Sequence, residues 1–192
     1  MIPWDLIRSA VTLFVIMDSL GSLPVFWYLT KGLPEEKRNH LANRTFFIAT
    51  IVLFVFLFFG LHILDFFGVT FSNFKIAGGI VVLIMGIRLV IGQSGHEDRI
   101  KNYEEAILPL ATPLLVGPGV ITTAILIFDD HGAAIAILSA IIALVISWLI
   151  FHYARELMRI FGRQGSDAIS RLMGMIIITI AVQLIRDGWA MV

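Results

Sequence analysis

Long apolar runs most constrain what this chain can fold into. Six of them, each near the length that a helix needs to cross a bilayer, fill most of the 192 residues. Because a helix satisfies its own backbone hydrogen bonds in lipid, the sequence predicts an all-α integral membrane protein with six transmembrane helices. The predicted spans are residues 6–28, 45–64, 76–92, 106–128, 132–151 and 172–191.

The composition agrees with a membrane protein and excludes several other classes. Hydrophobic residues make up 58% and charged residues 15% of the chain, whereas a soluble domain carries about a quarter charged residues. The formal net charge of zero gives no basic surface for nucleic acid, and the lack of cysteine excludes disulfides and thiol nucleophiles. The tract 96–99 (His-Glu-Asp-Arg) lacks metal-ligand spacing, and no nucleotide-binding or hydrolase motif is found. We therefore expect no enzyme, metal or cofactor.

An internal repeat divides the chain. Gly21 and Gly117 lie half the chain length apart, and each interrupts an apolar run. The same offset joins the pairs Lys75 and Arg171, Gly78 and Gly174, Ile80 and Ile176, Ile84 and Ile180, and Gly92 and Gly188. We therefore expect a single transmembrane domain, 1–192, composed of two repeats, 1–96 and 97–192. Each repeat holds three spans, an odd number, so the second repeat is inverted relative to the first.

The distribution of basic residues predicts the orientation. The connections after spans one, three and five hold most of the basic residues, which include Lys31, Lys37, Arg38, Arg44, Arg99, Lys101, Arg155, Arg159 and Arg163. The positive-inside rule places this side in the cytoplasm, so both termini of the chain are predicted outside. The polar segments 31–44 and 152–170 are expected to be connections. The first apolar run follows no basic stretch and is interpreted as a retained span.

The first interruption contains an acidic residue. Gly21 and Pro24 are predicted to break the helix, because glycine lets the chain unwind and proline removes a backbone donor. A carboxylate near the bilayer midplane is costly unless it faces protein or water. Asp18 is therefore interpreted as a ligand for a cationic group or coupling ion, or as a proton carrier, with Ser19 and Ser22 in the pocket wall. The alternative is a protonated carboxyl group that only packs against a neighbouring span.

The second interruption lies in the fourth span. Its predicted helix-breaking residues are Pro113, Gly117, Pro118 and Gly119. The helix that restarts there would present free amides and a positive dipole end, which together favour a carboxylate, and Thr122 and Thr123 would add hydroxyl groups. The alternative is a proline kink packed against small residues.

Together the interruptions predict a site for a small zwitterion. Asp18 would face an ammonium group and the amides of residues 117–119 a carboxylate. Gln183, inside the sixth span, is either an interhelical hydrogen-bonding group or a further pocket residue. Lys75 and Arg171 begin spans three and six, where they either reach the lipid headgroups or act in gating or substrate steering. Paired broken helices are typical of secondary transporters.

The same residues resemble a known family. Residues 18–26 (Asp-Ser-Leu-Gly-Ser-Leu-Pro-Val-Phe) resemble the Asp-Pro-x-Gly-Asn-x-Pro-x-Phe signature of the MarC family. Residues 74–80 and 108–122 are similar to its next two motifs, and 171–174 with 181–183 to its last. The chain departs from the signature at Ser19, where the family usually has Pro, and at Ser22, where it usually has Asn.

The resemblance implies a six-helix inner-membrane protein of two inverted three-helix repeats, related to small-amino-acid exporters. Relatives of the SnatA type move neutral amino acids such as glycine and alanine. We therefore expect a secondary transporter of small neutral amino acids that works by alternating access, with H⁺ or Na⁺ as the coupling ion. The alternatives are an exporter of another small zwitterionic metabolite, or a membrane scaffold that transports nothing. The expected partners are the substrate and the lipid bilayer.

Overall fold

The computed structural model describes residues 2–30, 32–92 and 115–191, which form helices and no strands. The helices are α1 (Ile2–Met17), α2 (Ser19–Thr30), α3 (Glu35–Phe66), α4 (Phe71–Val90), α5 (Pro118–His131), α6 (Ala133–His152) and α7 (Ala154–Trp189). Helix α7 bends at Gly162, whose φ is 61° and ψ is −177°. The predicted all-α architecture is confirmed for the described ranges.

Five segments of the described chain are long and apolar enough to cross a membrane. They are Trp4–Leu23, Glu35–Phe66, Phe71–Val90, Ala133–His152 and Asp167–Trp189, and they match the predicted spans one, two, three, five and six. Of the fourth predicted span, 106–128, only the part from residue 115 onward is described, and most of it forms the 14-residue helix α5. The tract 96–99 also lies outside the described residues.

The outer faces of the spans are apolar. Large hydrophobic side chains point outward along α3, α4 and α6, among them Phe47, Phe58, Ile84, Ile142 and Val145. Exposure of such apolar faces to water would be unfavourable, whereas lipid chains solvate them. The pattern is that of a helical bundle with a lipid-facing surface.

Two helices extend beyond the predicted spans. The sequence predicts polar connections at 31–44 and 152–170, but α3 begins at Glu35 and α7 at Ala154. Helix α3 has 32 residues and is therefore about 48 Å long, well beyond a hydrocarbon core of about 30 Å. Glu35 and Glu36 in its first turn favour a helix there, because acidic side chains stabilise the positive end of the helix dipole.

Helices α4 and α7 form the most extensive contact of the described bundle. They are antiparallel and approach through small residues. A Cβ atom added to Gly86 would lie 3.0 Å from the carbonyl oxygen of Gly174, and one on Gly188 would lie 3.0 Å from that of Ser72. Backbones come this close only where no side chain separates them, as is common between membrane helices.

The bundle has two distinct ends. At one end α2, α3 and α6 meet. There the Phe26 and Phe151 rings have centroids 4.7 Å apart, and Trp148 Nε1 donates to Asn43 Oδ1 at 2.7 Å. We call it the Phe151 end. The opposite end, which we call the Lys75 end, holds the starts of α1 and α4 and the ends of α5 and α7.

Candidate functional site

Asp18 forms the turn between α1 and α2. Its φ of 46° lies in the left-handed region, which few residues other than Gly, Asn and Asp adopt. Its carboxylate Oδ1 accepts the Gly21 N–H at 3.2 Å, and its carbonyl accepts the Ser22 N–H at 2.9 Å. Asp18 is therefore the N-cap of α2. Its side chain is buried within the span Trp4–Leu23.

The structure corrects the position of the first interruption. Gly21 and Pro24 were expected to break the helix, but both lie inside α2, and the interruption is three residues before Gly21, at Asp18. Gly21 has a different role, because a Cβ atom there would overlap the Asp18 carboxylate. Its missing side chain therefore makes room for the cap. Pro24 cannot donate a hydrogen bond to the carbonyl of Leu20, so this part of α2 lacks one helical bond.

The second interruption precedes α5. Gly117 is the N-cap with extended backbone (φ −88°, ψ 179°), and Pro118 is the first helical residue, a position that suits its fixed φ. The Gly117 carbonyl accepts the Ile121 N–H at 3.1 Å. The N–H groups of Gly119 and Val120 belong to the first turn and have no acceptor within the helix. Pro113, the remaining predicted helix breaker, lies outside the described residues.

The two interruptions lie against each other. A Cβ atom on Gly119 would lie 3.4 Å from Ile16 Cγ2 and 2.6 Å from Val82 Cγ2. Ile16 belongs to the last turn of α1, so this turn contacts the first turn of α5. One turn further along α5, the Thr122 side chain packs closely against Gly78 of α4. The structure thus brings α1, α4 and the start of α5 together at the interruptions.

The polar side chains predicted for the site are mostly buried. Ser19, Ser22, Thr122 and Thr123 are all enclosed by the bundle. Ser19 Oγ and Thr123 Oγ1 have no hydrogen-bond partner among the described residues. Unpaired polar atoms are costly inside a protein, so these two are available to a polar ligand. Gln183, on α7, is exposed.

A pocket of about 240 Å³ opens at the Lys75 end. Helices α1, α4, α5 and α7 line it with Arg8, Ser9, Thr12, Lys75, Thr123, Leu126, Ile127, Asp130, His131, Ile180, Gln183, Leu184 and Asp187. Of the residues predicted to bind substrate, only Thr123 and Gln183 line this pocket. The remaining ones lie nearer the interruptions, where Ile16 and Val82 cover Gly119 in the described conformation.

Some residues that line this pocket were not predicted from the sequence to do so. Lys75 was interpreted either as a lipid-facing residue or as a gating group, but the structure buries it in the bundle. Ser9 and Thr12 were not singled out, although their spacing in an apolar span places them on one helix face. That spacing was the available signal. No sequence pattern shows which neighbours cover such a face.

These helices define a multi-pass integral membrane protein. The chain belongs to the MarC family, since the family model for MarC integral membrane proteins matches residues 4–192. A UPF0056 membrane protein of Archaeoglobus fulgidus is 36% identical over 95% of this chain and 91% of its own length. The UPF0056 inner membrane protein YhgN of Escherichia coli K12 is 34% identical over 96% of this chain and 95% of its own. No solved structure gives a significant match.

Proposed function

We propose that this protein is a secondary transporter of small neutral amino acids, of the glycine or alanine kind, that works by alternating access in the inner membrane. One observation carries the proposal: the last turn of α1, directly before the break at the buried Asp18, lies against the first turn of α5. Ionisable groups inside membrane spans are rare and usually functional, and broken helices supply the backbone groups that bind substrates and ions in many transporters.

Asp18 supplies the negative charge in this proposal. A buried carboxylate needs a positively charged partner, and no ion pair to Asp18 is found in the described part of the chain. The ammonium group of an amino acid or a coupling ion, H⁺ or Na⁺, would fill that role. Ser19 and Ser22 follow it in the first turn of α2, and their short side chains leave space for a small substrate.

The start of α5 supplies the complementary positive end. The amides of its first turn, which have no acceptor within the helix, and the helix dipole favour a carboxylate, as at other helix N-termini. Ile16 and Val82 cover Gly119 in the described conformation, so the substrate would reach these amides only after α1 and α4 move away from α5. Such a movement is the gating step that alternating access requires.

The packing of the helices supports an inverted repeat. If residues 1–96 and 97–192 are related by a two-fold axis, the offset that pairs Gly21 with Gly117 makes α5 the counterpart of α2, so the contact of α2 with α6 should have a counterpart in a contact of α5 with α3. Both contacts occur. The axis would pass between α4 and α7, which are antiparallel and joined by the glycines at positions 86 and 174.

Gradient-driven uptake tests the proposal. Purified protein in proteoliposomes should accumulate radiolabelled glycine or alanine above the level of protein-free liposomes, and one imposed gradient, of H⁺ or of Na⁺, should raise the initial rate. Uptake of another zwitterion but not of these two would favour the alternative of a different metabolite. No flux of any small zwitterion would favour the scaffold.

Substrate analogues test whether the site binds the carboxylate of the substrate as well as its ammonium group. Unlabelled alanine should inhibit uptake of labelled alanine, whereas alanine methyl ester and ethylamine should inhibit poorly, because both lack the carboxylate that the α5 amides would bind. Equal inhibition by all three compounds would rule out the carboxylate site.

A further inference from the structure

Buried polar groups and exposed charged groups both line the pocket at the Lys75 end. Ser9, Lys75 and Thr123 are buried, as are the apolar Leu126 and Ile127, whereas Arg8 and Gln183 are exposed. Its volume of about 240 Å³ lies just below the range of typical pockets for drug-sized ligands and therefore suits a smaller solute. Four helices from both halves of the chain surround it.

Lys75 is the unusual group in this pocket. Only 5% of the residue is exposed, and no ion pair to its ammonium is found in the ranges that the structure describes. Its Nζ lies 5.4 Å from the centroid of the Phe71 ring, a contact that offsets little of the cost of burying a charge. A buried ammonium that faces a polar cavity is a binding group for an anion.

The acidic residues of the pocket leave Lys75 available. Asp187 is paired with the neighbouring Arg186 at 3.2 Å, and Asp130 is exposed at the end of α5. Neither forms an ion pair with Lys75. Thr123 Oγ1 has no partner among the described residues and lies on the same pocket wall as Asp130. The pocket thus offers a buried cation and buried hydroxyl groups, together with an exposed acid.

We propose that this pocket binds the carboxylate of a small solute, with Lys75 as the counter-ion. The inference rests on the proposed function in one respect, namely that the solute is the transported amino acid in its first docking position. Thr123 lies one helical turn from Gly119, so the pocket adjoins the covered interruption. A solute held here would be delivered to the Asp18 region when α1 and α4 separate from α5.

The enclosure of the pocket favours a soluble anion over a lipid headgroup as its ligand. Lys75 is surrounded by helices and does not lie on the outer face of α4, where Ile80, Ile84 and Ile87 are exposed. Its repeat counterpart, Arg171, is exposed and does not line the pocket, which makes it a matched control.

Thiol labelling tests the site without requiring transport, since the chain has no cysteine. Single cysteines at Gln183 and Thr12 report on two pocket walls, and one at the exposed Ala190 reports on the same end outside the pocket. Relative to Ala190→Cys, the two pocket cysteines should react about fivefold faster with a small anionic methanethiosulfonate than with a cationic one. Lys75→Gln should abolish this preference, whereas Lys75→Arg and Arg171→Gln should keep it. Acetate and glycine should slow labelling, and ethylamine should not.

Three results would overturn the inference. They are equal reactivity toward both reagents, a preference that survives Lys75→Gln, and protection by phosphatidylglycerol bilayers with none by acetate or glycine. The last would make the pocket a lipid site. A protein that shows the Lys75-dependent preference but moves no amino acid would refute the proposed function and keep the anion site. A protein that transports alanine but shows no such preference would refute the anion site and keep the proposed function.

Discussion

At the scale of single residues, Asp18 combines two roles that are usually separate. Its carboxylate accepts the Gly21 N–H and so caps α2, and the same buried group is the proposed ligand for an ammonium or ion. Its positive φ is tolerated because Asp and Asn enter this region more readily than other side chains. Any substitution there changes structure and chemistry together unless the new side chain can still cap.

Asn and Ala at position 18 separate the two roles. Asp18→Asn keeps a capping oxygen and tolerates the same backbone conformation, so its thermal stability in detergent should stay close to wild type. Asp18→Ala loses the cap and should be less stable by about 1 kcal/mol. Both variants should lose alanine uptake by about tenfold or more, which corresponds to roughly 1.4 kcal/mol of lost interaction. Wild-type uptake by a folded Asp18→Asn protein would leave Asp18 with the capping role only.

At the scale of helices, the spans are predictable and their exact breaks are not. Twenty apolar residues dictate a helix in lipid whatever surrounds them, which is why five predicted spans reappear among the described residues. Gly21 and Pro24 indicate that α2 can deform, but the turn falls at Asp18 because its side chain can accept the Gly21 N–H. The burial of Lys75 depends on α5 and α7, which come from the other half of the sequence. Local patterns carry no such information.

The close contact between α4 and α7 is expected to contribute to the stability of the protein. Gly86→Val would place a side chain against the Gly174 backbone, where neither helix can yield without separating. Ala77→Val, on an exposed position of the same helix, adds the same β-branched side chain without a clash. By thermal unfolding, Gly86→Val should be less stable than Ala77→Val by about 1–3 kcal/mol. Equal stability of the two variants would mean that the close contact is not needed.

At the scale of the whole molecule, the proposed orientation places the Phe151 end in the cytoplasm and the Lys75 end outside. Cysteines at the exposed positions His40 and Gln164 should then react with impermeant thiol reagents only from the cytoplasmic side, and a cysteine at His131 only from outside. Spheroplasts and inverted membrane vesicles present the two faces separately. The opposite labelling pattern would reverse the orientation and would place the Lys75 pocket on the cytoplasmic face.

Exchange of alanine across a membrane tests the central claim most directly, because exchange requires no knowledge of the coupling ion. Proteoliposomes loaded with unlabelled alanine and diluted into a trace of labelled alanine should take up the label transiently above its equilibrium level. Asp18→Asn proteoliposomes should show about a tenth of that uptake or less, by the same 1.4 kcal/mol estimate. If wild-type proteoliposomes retain no more label than protein-free liposomes, the protein does not carry alanine, and the interrupted helices serve another purpose.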